Sequence, residues 1–171
     1  YTDFSYISEK WKHVAEEDAL LGVSMTGLSS IDIQNNRSNL KKWARVVSDV
    51  NKFVARKIGI NPAKRLTCIK PEGSTSCVLM TSSGVHPYHD KYFMRSVRVN
   101  KNLGVYKYLR DKNYPFLEDD LLNPEFDAVV YFPCKSPEEA RTVDATKATD
   151  LLNDEIDVYE YWIMPGHRSG H

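Results

Sequence analysis

The stretch with the clearest capacity for chemistry is Lys70-Pro71-Glu72-Gly73-Ser74-Thr75-Ser76. A strand-like run ends at Pro71, the chain turns at Gly73, and three hydroxyl residues stand where the next helix would begin. Hydroxyls at that place can cap the first helical turn, while the leading N–H groups stay free to point outward. Aligned amides at the positive end of the helix dipole hold an anion such as a phosphate. Gly73 would let the backbone come close to such a ligand, where a Cβ would obstruct it. The spacing is not that of a P-loop, because no Gly-Lys-Ser/Thr follows. An ordinary capped turn without a ligand is the alternative these residues leave open.

Other reactive side chains give weaker signals. His86 and His89 form an H-x-x-H pair with no nearby carboxylate or thiol ligand, so no metal site is assigned to them. Arg95 and Arg98, three apart in a strand pattern, point to opposite faces and do not make one clamp. A salt bridge is the expected role for each. Cys68, Cys77 and Cys134 have no neighbouring Cys or His to lower a thiol pKa. They are expected to behave as small buried hydrophobes. Glu16-Glu17-Asp18 and Glu118-Asp119-Asp120 look like solvated charge runs, so no catalytic residue is assigned.

The elements that must position the turn follow from periodicity. A charged helix is expected from Ser8 to Ala19, with Trp11, Val14 and Ala15 on one side. Leu20 to Leu28, an apolar run broken by glycines, suits a buried strand. Apolar residues at Leu40, Trp43, Val47, Val50 and Val54 mark the most secure helix, capped near Ser38 or Asn39 and stopped by Gly59. Further strands are expected at Arg65–Lys70, Tyr92–Val99 and Ala128–Phe132, the last ending at Pro133. Short apolar residues run from Cys77 to Met80, and helices are expected at Asn102–Asp111 and Thr146–Trp162. The second of these has Ala148, Leu151, Leu152, Tyr159 and Trp162 as its apolar face. This alternation is that of an α/β protein with a thin sheet.

Composition sets the outer limits. The 171 residues suffice for one core, and 42% hydrophobic with 27% charged residues are ordinary globular values. Twenty-three basic residues balance twenty-three acidic ones, which argues against direct nucleic-acid binding but not against an amide-built anion site. No apolar run is long enough to cross a bilayer, and three cysteines without metal spacing suit a reducing cytoplasm. The chain opens at Tyr1 without Met and closes at His171 after Pro165-Gly166-His167-Arg168-Ser169-Gly170. It is therefore expected to be a piece of a longer polypeptide.

Several motifs in order carry a resemblance. Arg65-Leu66-Thr67-Cys68-Ile69-Lys70-Pro71-Glu72-Gly73-Ser74-Thr75-Ser76, then Ser82-Ser83-Gly84-Val85-His86-Pro87, then Lys91 to Val99, resemble ribonucleotide reductases. The match is closest to the adenosylcobalamin-dependent class II enzymes that act on ribonucleoside triphosphates. Leu21 to Gly27 is similar to that family's I-G-V-S-M-T-G strand, and Tyr161-Trp162 with Pro165-Gly166-His167 resembles a region further on.

The resemblance implies a partial segment of a ten-stranded α/β barrel, with residues 1–171 a single segment from its C-terminal portion. It implies that Glu72, Gly73, Ser74, Thr75 and Ser76 hold substrate phosphates. Glu72 departs from the family's usual Ser, and Ser96 replaces the second Arg of an Arg pair. The family's thiyl-radical cysteine, its neighbouring Glu and its redox cysteines would all fall outside this chain, leaving the isolated segment inactive. Implied with the whole enzyme are adenosylcobalamin, a ribonucleoside triphosphate or diphosphate substrate, the remainder of the reductase chain and a thioredoxin-like reductant. The equivalent part of a class I reductase, a non-enzymatic phosphate- or nucleotide-binding module and an inactive remnant are the alternatives.

Overall fold

The computed structural model of the chain describes residues 2–167. The Arg168-Ser169-Gly170 part of the Gly-rich turn lies outside them. Two compact units share the chain: one takes the residues up to Tyr88 and those from Glu139 onward, the other is His89–Glu138.

The first unit is built around α2, Arg37–Ile58, the helix most plainly written in the sequence. Gly59 ends it, as expected, but it starts three polar residues earlier than its apolar pattern, with Asn36 at the cap in place of Ser38 or Asn39. Its inward face also differs from expectation. Leu40, Ala44 and Ala55 are buried, whereas Trp43, Val50 and Val54 are exposed. Around Leu40 and Ala44 gather Leu28, Ile33, Val85, Val158 and Trp162, forming the core of this unit.

Helix α1, Glu9–Asp18, matches its expected bounds, yet none of its residues is buried and Trp11 is largely exposed. Its end is tied down by Lys64, which pairs with Glu17 at 2.8 Å and Asp18 at 2.6 Å. The expected strand at Leu20–Leu28 is an extended segment with one parallel bridge, Val23 to Thr67. Its neighbour Arg65–Lys70 is likewise extended, bridged to Val23 and, antiparallel, to His167. Leu20, Leu21 and Val23 are exposed, so this segment is not the buried strand its composition suggested. Neither segment meets a second strand along its length within the described residues, and each stays a bridge and not a ladder.

Residues Cys77 to Met80 belong to a short helix, α3, Gly73–Leu79, and its end. The last long helix is α5, Ala148–Val158, which runs on into a π-helical turn, Tyr159–Ile163. Of its expected apolar face, Trp162 is buried, but Leu152 and Tyr159 are exposed. In their place the helix turns two carboxylates inward. Asp157 takes a bidentate bond from Arg37, at 2.7 and 2.9 Å from one guanidinium nitrogen, and Asp154 accepts from Arg141.

The second unit is a three-stranded antiparallel sheet in the order β1-β3-β2, from β1 (Tyr92–Asn100), β2 (Leu117–Asp119) and β3 (Asp127–Lys135), with helix α4 (Gly104–Asp111) in the first connection. The longer strands pair from Tyr92↔Lys135 to Asn100↔Asp127. Strand β3 runs through Pro133 instead of ending there, and β2 lies in what read as a charge run. The third acidic residue of that run, Asp120, is buried. It accepts from Arg98 at 2.7 Å and from the amides of Leu122 and Asn123 at 3.0 Å each.

The hydrogen bond from Arg98, with the two amides behind it, holds the Asp120 carboxyl below the usual carboxylate range against the opposing effect of burial. A group with a depressed folded pKa stabilises the fold above its unfolded pKa of about 4, and that contribution drains as pH falls through the folded value. Asp120→Asn is therefore expected to lower the urea midpoint of the protein at pH 7. The gap from wild type is expected to close progressively below pH ~4, as followed by circular dichroism; a gap independent of pH would remove the linkage.

Candidate functional site

Three separated stretches, 21–30, 65–76 and 81–88, are stitched into one substructure around the Lys70–Ser76 turn. Thr26 joins the first to the third: its hydroxyl donates to the Ser82 carbonyl at 2.8 Å and accepts from the Gly84 amide at 3.0 Å. The amides of Gly27 and Leu28 donate to the carbonyls of Ser82 and Gly84, both at 3.0 Å. Buried Ser29 and Ser82 share a hydroxyl–hydroxyl bond of 2.7 Å. The second stretch joins through the Lys70 amide, which donates to Ser24 Oγ at 3.0 Å, and through the Ser83 hydroxyl, which donates to the Pro71 carbonyl. Gly84 has φ +55°, and a Cβ there would lie 2.9 Å from the Lys70 carbonyl. Only glycine lets the third stretch lie this close to the strand that enters the turn.

Within the turn, the roles of individual residues differ from those read in the sequence. Glu72, not Gly73, takes the left-handed conformation, with φ 53° and ψ 34°, and it stands at the N-cap of α3. No side chain caps this helix. Ser76 is buried and its hydroxyl donates back to the Gly73 carbonyl at 3.1 Å, so it serves the turn's own geometry. Ser74 and Thr75 are exposed. The Ser76 amide closes the first helical bond, to the Glu72 carbonyl at 2.9 Å. The amides of Gly73, Ser74 and Thr75 precede that bond and have no helical acceptor. A Cβ on Gly73 would meet nothing within 4 Å, so open space lies over the turn.

Beside the turn is a cavity of about 360 Å³, lined by Ser24–Leu28, Ile31, Trp43, Glu72, Thr75 and Leu79. Met25, Leu28, Ile31, Trp43 and Leu79 make its apolar wall, and Ser24, Thr26, Glu72 and Thr75 its polar part. A second cavity of about 360 Å³ lies between α2 and His167, with Arg45, Asp49 and Lys52 among its lining residues. His167 there is held below the usual histidine pKa, first by burial and then by the charge of Arg65.

The remaining candidates are placed as follows. His86 Nδ1 lies 3.3 Å from the Ser83 carbonyl, and His89 stands edge-on to Phe93. Among the described residues, no group of three or more His, Cys, Asp or Glu is gathered as metal ligands. Arg98 pairs with Asp120, and Arg95 lies 5.8 Å from the Phe93 ring centre. Of the cysteines, Cys68 and Cys134 are half-buried, while Cys77 is exposed on α3 with its thiol 3.0 Å from the Gly73 carbonyl. It is thus not the buried hydrophobe its apolar neighbours suggested, because the helix turns that whole apolar run to solvent. No described helix is long and apolar enough to cross a membrane.

Comparison with known proteins bears on this arrangement directly. An adenosylcobalamin-dependent ribonucleoside-triphosphate reductase of Euglena gracilis is 23% identical over 146 residues, covering 83% of this chain and 20% of that protein. A probable enzyme of the same name from Dictyostelium discoideum is 22% identical over 150 residues, covering 83% of the chain and 19% of that protein. A crystal structure of a B12-dependent (class II) ribonucleotide reductase matches 91% of this chain with a TM-score of 0.76 at 15% identity. This chain is similar, in sequence and in fold, to the class II ribonucleotide reductases. No family model matches it. The chain spans about a fifth of the length of the curated reductases it matches and 26% of the structural neighbour. The likeness is thus to one part of the reductase fold, a mixed α/β part with a small antiparallel sheet.

The left-handed Glu72 is the most strained point of the turn, since a side chain in that region costs about 1–2 kcal/mol. Glu72→Gly is expected to raise stability by about 1 kcal/mol, and the β-branched Glu72→Val to lower it by a similar amount. Urea denaturation measures both; equal midpoints for the two variants would show that the turn does not hold this conformation in solution.

Proposed function

We propose that this chain is a segment of an adenosylcobalamin-dependent ribonucleotide reductase and supplies its substrate-phosphate turn and part of its barrel wall. The whole enzyme reduces ribonucleotides to 2′-deoxyribonucleotides. The observation that carries this reading is the convergence of separate reductase-like motifs, Leu21–Gly27, Arg65–Ser76 and Ser82–Pro87, on a single hydrogen-bonded substructure beside a cavity.

In this reading the amides of Gly73, Ser74 and Thr75 donate to phosphate oxygens, with the exposed hydroxyls of Ser74 and Thr75 adding further donors. Preorganised donors of this kind bind an anion without a cationic side chain. Ser76 acts by fixing the turn from beneath. Glu72 contributes the backbone bend, and its carboxylate, lining the cavity, repels a phosphate that drifts off the amides. The open space above Gly73 admits the ligand, and the cavity beyond Thr75 accepts the part of the substrate attached to it.

The chemistry belongs to the remainder of the reductase chain. Adenosylcobalamin supplies the radical through its Co–C bond; the two cavities described above have the size of a drug-like ligand and are far too small for a corrin. In this reading Cys68, Cys77 and Cys134 fall where the family does not place its catalytic cysteines.

A complementation assay tests the proposal. The chain is mixed with a polypeptide carrying the rest of a reductase, adenosylcobalamin, a dithiol reductant and a ribonucleoside triphosphate or diphosphate. Formation of 2′-deoxynucleotide is expected, with Ser74→Ala/Thr75→Ala raising KM about tenfold through the loss of two anion donors and changing kcat far less. No product on mixing, together with tight nucleotide binding by the chain alone as a folded monomer, would overturn it in favour of a stand-alone binding module.

A further inference from the structure

Helix α2 carries more apolar surface than its own unit covers. Its inward face runs through Leu40, Ala44, Val47 and Ala55. Beside this face lies a second one, Trp43, Val46, Val50, Phe53, Val54 and Ile58, whose side chains are 42–60% exposed. Their spacing of three and four residues is that of a helix-packing seam. At about 100° per residue the two faces together take up roughly 200° of the helix. A helix that packs on one side only shows a stripe a little over 100° wide. The sequence of α2 is thus that of a helix gripped from two sides.

Two observations identify what grips the second side. The first is charge: in a chain of zero net charge, the stretch from Arg37 to Lys57 holds seven basic residues against one acidic one, Asp49, and two of the seven stand at the seam. Lys42 and Lys57 border the exposed seam, with the Lys57 ammonium 5.0 Å from the Phe53 ring centre. The second is length: the curated reductases extend over about five times the span matched here. The seam also does not stop at the helix. Trp43 is a wall of the cavity that holds Ile31 and Leu79 and ends at Glu72 and Thr75. A rod-shaped partner fills such a concave end; a flat bilayer does not.

We propose that this seam seats an amphipathic helix from the reductase polypeptide outside this chain. Its apolar residues pack on Trp43, Val46, Val50 and Phe53, and its flanking carboxylates face Lys42 and Lys57. This rests on the reading of the chain as a reductase segment. The docked helix closes the Trp43 side of the cavity, so assembly and the phosphate turn share a wall.

The test uses the whole chain and two labelled helical peptides with the same leucine seam, one flanked by Glu and the other by Lys. Fluorescence anisotropy is expected to give at least about tenfold tighter binding of the Glu-flanked peptide, since like charges across a seam repel. Val50→Glu/Phe53→Glu, at exposed positions, is expected to abolish that binding with the circular dichroism spectrum unchanged. Lys52→Glu, away from the seam, is expected to alter it by less than about threefold. Equal binding of both peptides, binding of neither, preference for phosphatidylserine vesicles, or self-association lost in Val50→Glu/Phe53→Glu would each overturn the proposal. Nucleotide binding by the same variants is measured alongside. If it persists when no peptide binds, the docking inference fails while the phosphate-turn reading stands.

Discussion

Thr67 and the end of the α5 turn hold each other at a distance that leaves no room for another atom. The Thr67 hydroxyl donates to the Trp162 carbonyl at 2.8 Å, and the Trp162 indole donates to the Cys68 carbonyl at 3.1 Å. A Cβ on Gly166 would sit 1.8 Å from Thr67 Oγ1. Thr67 also carries the parallel bridge to Val23. Through this one residue the strand that enters the turn is fixed to the segment before it and to the helix that closes the unit. Both partners are buried, so each hydrogen bond is made where an unmade one would be costly.

From that lock the position of the turn follows. Thr67 sets Arg65–Lys70, Lys70 is held by Ser24, and Pro71 by Ser83. By the time the chain reaches Glu72, its entry direction is set from both sides. The left-handed bend at Glu72 is then imposed by its surroundings, and the surrounding bonds offset a local strain of about 1–2 kcal/mol. A turn so held leaves the amides of Gly73, Ser74 and Thr75 without a helical acceptor or a side-chain cap. A cap would have consumed the donors that the proposed function needs.

What could be read from the sequence divides along physical lines. Helices α1, α2, α4 and α5 were legible because their signal is local: a 3.6-residue period, and at Gly59 a stop. The turn was legible because Pro71, Gly73 and the hydroxyl run are local too. The wrong faces of α2 and α5 came from counting apolar residues without knowing which neighbours exist. Leu40 and Ala44 meet the core, and Trp43 and Val50 do not. The extended segments at 20–28 and 65–70 have strand-like composition, but a strand needs a neighbour on the page of the sequence or beyond it. Asp120 read as a solvated charge, and Asp154 and Asp157 drew no reading, because their partners, Arg98, Arg141 and Arg37, lie 22, 13 and 120 residues away. No local pattern reports such a pairing. Within the turn, which residue takes the bend and which hydroxyl faces inward were equally hidden, since Ser74, Thr75 and Ser76 differ only in where the helix points them.

The central claim is that phosphate sits on the amides that follow Glu72. Titration of the 15N-labelled chain with a ribonucleoside triphosphate, followed by amide chemical shifts, addresses it most directly. The account predicts saturable shifts led by Gly73, Ser74 and Thr75, with smaller ones along the cavity at Met25 and Thr26. Shifts centred instead on Arg45, Lys52 and His167, or none at saturating nucleotide, would contradict it.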